Sequence, residues 1–184
     1  PNLRLVDLPG IVGARVEGEP LDMANRTERL VNSYLRKPDT LVLVVVEANI
    51  GSVRNSKAFQ LVEQANKETK AVGVLTKADL CAGEALDTLR ERLEERAPDC
   101  PRLGYGYVAV RNRAGNDHTS LATAIGVEYD YFNAALPDLV ENDRQVVGIG
   151  ALLTKLRKML TQYTKHNWAP DAQRKITNEV RNRR

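Results

Sequence analysis

Ala71-Val72-Gly73-Val74-Leu75-Thr76-Lys77-Ala78-Asp79-Leu80 is the stretch whose reading decides the fold. Residues 71–75 are apolar or small without polar alternation, the pattern of a strand covered on both faces. An acid three residues past the threonine that closes such a strand is placed to read guanine. Its carboxylate can accept two parallel hydrogen bonds, from the ring imino N–H and the exocyclic amino group, and adenine presents no matching donor pair. With equal residue frequencies, [Asn/Thr]-Lys-x-Asp arises by accident in about one chain in twenty of this length, so position must supply the remaining specificity.

Working outward, Asp7-Leu8-Pro9-Gly10 follows an apolar segment at residues 3–6 that reads as the first strand. Asn112-Arg113 follows a strand-like segment at 106–110. A bare Asp-x-x-Gly occurs by chance in about every second such chain, so its placement at a strand end carries the weight. In an open parallel α/β sheet, ligands bind outside the carboxyl ends of the strands, and three polar motifs after three apolar strands would converge on one crevice.

Between these motifs the pattern alternates. Leu21, Ala24, Val31, Tyr34 and Leu35 mark a one-sided helix, ended by Pro38, which lacks an amide hydrogen and disfavours helical geometry in the residue before it. Residues 41–46 form the longest apolar run and read as a strand covered on both faces. Ala58, Leu61, Val62 and Ala65 mark a short helix. Residues 83–97 read as a charge-rich helix with Leu86, Leu89 and Leu93 inward and its Arg and Glu residues on a solvated face. Strands and helices thus alternate as in a doubly wound parallel sheet. Further on, Leu152, Leu156, Met159, Leu160 and Tyr163 share one stripe of an amphipathic helix.

Composition narrows the function classes. The 184 residues are 42% hydrophobic, enough for one sizeable core. No apolar run approaches the length of a bilayer span, and no leader pattern precedes Asp7. Cys81 and Cys100 lack Cys-x-x-Cys spacing, and the isolated His118 and His166 read as surface residues, so a structural metal site is not expected. The net charge of +3 does not argue for nucleic acid. Much of the excess lies at Arg174, Lys175, Arg181, Arg183 and Arg184, a solvated helical tail.

Taken together, Asp7-Leu8-Pro9-Gly10, Arg36-Lys37 before the strand at 40–46, Ala48-Asn49 with Asn55-Ser56, the 73–80 block, and Gly106-Tyr107 leading to Asn112-Arg113 resemble the large GTPase domain of the dynamin superfamily. The similarity extends through Tyr131-Phe132 and the helix at 152–160 to Trp168-Ala169-Pro170. It implies a P-loop GTPase-like α/β domain at 1–165 and, at 166–184, the start of a bundle and stalk helix, with a bend at Pro170. It also implies GTP and Mg²⁺ as ligands, with Asp7 holding the metal through water and the Gly10 amide facing the γ-phosphate as catalytic groups. Leu8 and Pro9 complete that loop. Thr76, Lys77 and Asp79 bind the base side, and Asn112 and Arg113 border ribose and base. GTP hydrolysis, membrane remodelling, microtubule binding, homo-oligomers built through GTPase and stalk regions, and a cytoplasmic protein peripheral on membranes are the corresponding expectations.

Departures from the family pattern matter too. No Gly-x-x-x-x-Gly-Lys-[Ser/Thr] occurs in these residues, and the switch threonine of the family is absent. The resemblance therefore implies the C-terminal part of a GTPase domain whose N-terminal part, with the phosphate-binding loop, lies outside the sequence, leaving the chain alone inactive. The alternative is a non-catalytic scaffold that has lost that loop. Val12-Gly13 stand where many dynamins carry Thr-Lys, Ala114-Gly115 replace Ser-Gln, and Gly51 falls near the place of a cross-dimer aspartate. Weaker assembly-stimulated hydrolysis is the expectation.

Overall fold

The computed structural model describes residues 4–11, 22–141 and 145–182. Leu3, Val12, Gly13, Leu21, Arg183 and Arg184, on which some of the expectations rest, lie outside the described residues. The chain divides into two compact units, Pro1–Ala109 and Val110–Arg184.

The first unit is built on a three-stranded parallel sheet, β1 (Val42–Glu47), β2 (Ala71–Thr76) and β3 (Tyr107–Ala109), in the order β1-β2-β3. Helix α1 (Met23–Leu35) precedes the sheet, α2 (Lys57–Gln64) crosses from β1 to β2, and α3 (Glu84–Leu93) crosses from β2 to β3. The crossovers make the parallel pairing possible, since strands running the same way cannot be joined by a tight turn. This is the α/β architecture that the alternating pattern predicts.

Central β2 is buried from Ala71 to Leu75, as an uninterrupted apolar run requires. Gly73 pairs with Tyr107 in the β2–β3 register, and the Tyr107 ring, only 1% exposed, stacks with Phe59 of α2 at 6.0 Å between centroids. The Tyr107 hydroxyl donates to the Pro101 carbonyl at 2.6 Å.

Four expectations are corrected. Residues 4–6 are not a strand, and Leu5 is 82% exposed. A strand exists only through a ladder of backbone hydrogen bonds, and the sheet of the described residues offers this segment no partner. The run at 41–46 is covered on one face only: Val44 is buried, while Leu43 and Val45 are exposed, so among the described residues nothing fully covers the face they share. In α1 the inward residues are Thr27, Val31 and Leu35, and Ala24 is exposed. In α3, Leu89 and Leu93 are buried as expected, but so is Arg92 at 2% exposure, so its charged residues do not all form a solvated face.

Helix α1 ends before Pro38, and the turn that follows is held by two lysines. The buried Lys67 ammonium donates to the Lys37 carbonyl at 2.7 Å, and Lys70 donates to the Pro38 carbonyl at 2.7 Å. Burial holds the Lys67 ammonium below the usual lysine range.

The second unit is helical. Helix α4 (Leu121–Ala135) begins at Ser120, whose hydroxyl accepts the Thr123 amide, and packs against α5 (Pro137–Glu141) and α6 (Gly148–Tyr163). Leu152 and Met159 are the buried members of the α6 stripe. The chain stays helical past Tyr163 through one wide turn, Thr164–Trp168, into α7 (Ala169–Asn182). Pro170 offers no amide donor and its ring crowds the carbonyl four residues earlier, which a widened turn relieves.

Candidate functional site

At the carboxyl end of β2 the chain turns sharply. Thr76 closes the strand, its hydroxyl donating to the Val46 carbonyl at 3.2 Å, while its own carbonyl accepts the Ala48 amide at 2.7 Å. The ends of β1 and β2 are therefore tied just where the polar motif begins. Lys77 adopts a left-handed conformation, φ 54° and ψ 38°, uncommon for a residue with a side chain. It reverses the chain into a single 3₁₀ turn, Ala78–Leu80, closed by the Leu80 amide on the Lys77 carbonyl at 3.0 Å and the Cys81 amide on the Ala78 carbonyl at 3.0 Å.

Buried Ala78 and Cys81 are the feet of this turn, and Lys77 and Asp79 are exposed. Burial pushes the Cys81 thiol up, so it serves as a small apolar anchor and not as a nucleophile. Lys77 is ion-paired with Glu47 at the end of β1. Both partners are about half exposed, and water screens such a pair, so it costs little to exchange for a ligand contact.

The segment leaving β1 is organised by a charge that the sequence reading missed. From α3, Arg92 Nη1 donates to the Ala48 carbonyl at 2.8 Å, and Nη2 donates to the Ile50 carbonyl at 2.8 Å, the Gly51 carbonyl at 3.4 Å and Asp99 Oδ2 at 2.8 Å. Asp99 in turn accepts the Val53 amide at 2.9 Å on its carboxylate and the Arg54 amide at 3.0 Å on its backbone carbonyl. Arg92 Nε is buried without a partner. A signal was available: Arg92 lies three residues past Leu89 and next to Leu93, on the inward stripe of the helix.

Asp7, Pro9 and Gly10 are exposed and Leu8 half-buried, in a segment outside any helix or strand. No atom presses on a Cβ placed at Gly10, so the backbone there is open to a ligand. Among the described residues, no cluster of three or more His, Cys, Asp or Glu could hold a metal by itself, and His118 and His166 are exposed.

Asn112 and Arg113 belong to the second unit, both exposed, in the loop between β3 and α4. Arg113 donates to the Thr119 carbonyl, and Asp117 accepts the Thr119 amide at 2.9 Å, which holds its carboxyl below the usual range. The root of this loop is fixed by Glu128, a buried carboxylate the sequence reading also passed over. It accepts the Arg111 amide at 2.8 Å on one oxygen and, on the other, the Ile149 amide at the start of α6 at 2.7 Å. Gly148, at φ +83°, brings that helix start in, and the Glu128 Oε2 sits 3.4 Å from where a Cβ would be.

Comparison with known proteins adds an independent line. A family model described as the Dynamin family matches residues 1–78. The mouse interferon-induced GTP-binding protein Mx1 is 32% identical over 152 residues, 75% of this chain and 23% of that protein. Dynamin-related protein 3B of Arabidopsis thaliana is 31% identical over 168 residues, 89% of this chain and 20% of its own length. Dynamin-related protein dnm1 of Schizosaccharomyces pombe is 34% identical over 137 residues, 71% of this chain and 16% of its own. The chain thus spans a quarter or less of the length of these relatives.

Proposed function

We propose, from the premise that this chain carries a dynamin-superfamily region, that it supplies the base-reading half of a GTP site in a GTP-hydrolysing protein. The observation that carries this reading is the turn at 76–81: a left-handed lysine and an exposed aspartate at the mouth of the central parallel strand. In an open α/β sheet that is where ligands bind.

In this reading Asp79 accepts the guanine imino and amino hydrogens, and Lys77 leaves Glu47 to lie along base and ribose. Thr76 ties the turn to β1. Asn112 and Arg113 are assigned to the ribose and base side by the family resemblance alone. Asp7, a lone exposed carboxylate, suits an outer-shell role toward Mg²⁺, which keeps several waters and takes few protein ligands. Bound Mg²⁺ would neutralise charge on the β- and γ-phosphates. The Gly10 amide, with no side chain beside it, can donate to a γ-phosphate oxygen. Because such transfer relies on positioning and electrostatics, no general base is required of these residues.

Self-assembly and work on membranes are the wider reading, resting on the family resemblance, as does the division into residues 1–165 as the GTPase part and 166–184 as the start of a stalk helix. No helix of the described residues is long and apolar enough to cross a membrane.

Titration of the full-length protein and of the 184-residue chain with a fluorescent GTP analogue tests the reading. The full-length protein should bind GTP and be competed by GDP but not ATP. The chain alone should bind weakly or not at all, because contacts to the phosphates contribute the strongest charge-assisted hydrogen bonds. Absence of binding by the full-length protein would overturn the reading in favour of a scaffold.

A further inference from the structure

We propose that Arg92 is a positioning residue for the guanine-reading turn, acting on Thr76–Asp79 through the segment that leaves β1. The proposal rests on the base-reading role assigned to that turn.

Two observations single Arg92 out. First, it is a fully buried guanidinium on a helix, 2% exposed, with one nitrogen, Nε, left unpartnered. A desolvated charge with an incomplete hydrogen-bond set is a poor way to stabilise a core, where an apolar side chain of similar volume does as well or better. Secondly, both its terminal nitrogens reach one short segment. It grips the carbonyls of Ala48, Ile50 and Gly51, and its ion-pair partner Asp99 takes the amides of Val53 and Arg54. Carbonyls turned to a common point repel one another unless a cation lies between them, and a planar fork can serve several at once in fixed directions.

The gripped segment is coupled directly to the turn. Ala48, whose carbonyl Arg92 holds, donates its amide to the Thr76 carbonyl at 2.7 Å. Glu47, one residue earlier, pairs with Lys77. The left-handed Lys77 is a conformation that persists only when its surroundings over-determine it. Arg92 supplies that determination from the β1 side. Residues 48–54 contain no proline to stiffen them.

The test compares wild type, Arg92→Lys and Arg92→Met in the full-length protein. Amide hydrogen exchange is followed at Ala48, Val53 and Arg54, at Leu80 and Cys81, and at Val74 and Val108 as internal references in the sheet. Discrimination between GTP and inosine triphosphate, which lacks the amino group Asp79 reads, is measured in parallel. The expected result for Arg92→Met is at least tenfold faster exchange at 48, 53, 54, 80 and 81 with Val74 and Val108 unchanged, and a severalfold loss of GTP-over-inosine preference. Arg92→Lys, which keeps the charge without the fork, should recover part of both. Unchanged exchange at Leu80 and Cys81 would overturn the proposal, since Arg92 would then hold its loop alone. Equal acceleration at all seven amides would also overturn it, as a general stability effect. If the wild-type protein shows no GTP binding, the base-reading role of the turn fails, whereas the exchange data still decide whether Arg92 positions it.

Discussion

Gly73→Ala would place one carbon atom against a buried aromatic ring in the heart of the sheet. A Cβ at residue 73 would lie 2.3 Å from Tyr107 Cδ1, 2.5 Å from Cε1 and 3.2 Å from Cγ, against an ordinary carbon contact of about 3.5–4.0 Å. The ring would have to retreat by roughly 1 Å or more, yet it is stacked on Phe59, tied through its hydroxyl to the Pro101 carbonyl, and buried. Overpacking costs typically 1–3 kcal/mol, and losing the hydroxyl bond adds about 1 kcal/mol. The entropy saved by replacing glycine within a strand returns roughly 0.5–1 kcal/mol. The net expectation is destabilisation by about 1–3.5 kcal/mol, measured from urea unfolding midpoints at constant slope. In the double variant Gly73→Ala/Tyr107→Ala the two losses should fall short of additive by about 1 kcal/mol or more, because the second change removes the clash created by the first. A Gly73→Ala protein within about 0.5 kcal/mol of wild type, or strict additivity, would refute the account of how β2 and β3 pack. It would also remove the reason for a glycine in the strand that carries Thr76.

Two further outcomes are expected. Asp79→Asn in the full-length protein should weaken GTP binding and shift preference toward xanthine nucleotides, since an amide can donate to the oxygen that replaces the guanine amino group; competition binding with the two triphosphates reads this directly, and unchanged guanine preference removes Asp79 from its role. Stability should decline in alkali: burial pushes the Cys100 thiol from 9.0 up to about 11 in the folded chain, so the native state holds a proton that the unfolded state has released. That contribution is fully present below about pH 9 and is lost as pH rises toward 11, and the raised Tyr107 phenol acts in the same direction while the lowered Lys67 opposes it. Cys100→Ser should flatten the profile in that window, and an equally steep decline in the variant would assign the effect elsewhere.

Local signals carried the sequence reading a long way. An apolar run such as 71–75 has one sensible fate, and β2 is buried along it. The helix stops before Pro38, and α2 and α6 form where their apolar spacing puts them, because period and backbone restriction act within a few residues. The polar turn after β2 was legible for the same reason: its chemistry is written in consecutive residues. What the sequence could not decide was anything set by a partner far along the chain. Whether residues 4–6 become a strand depends on a neighbour to complete the ladder, and whether the 42–47 strand is covered on one face or both depends on what packs on the sheet. Its place on the inward stripe marks Arg92 as a candidate for burial, but which groups it meets is settled only when its fork reaches carbonyls 41 to 44 residues away, and Glu128 joins amides 17 and 21 residues distant. Periodicity assigns a residue to a face, but only tertiary packing decides which polar groups that face must satisfy, since the desolvation that makes a buried charge consequential does not exist before the chain has folded.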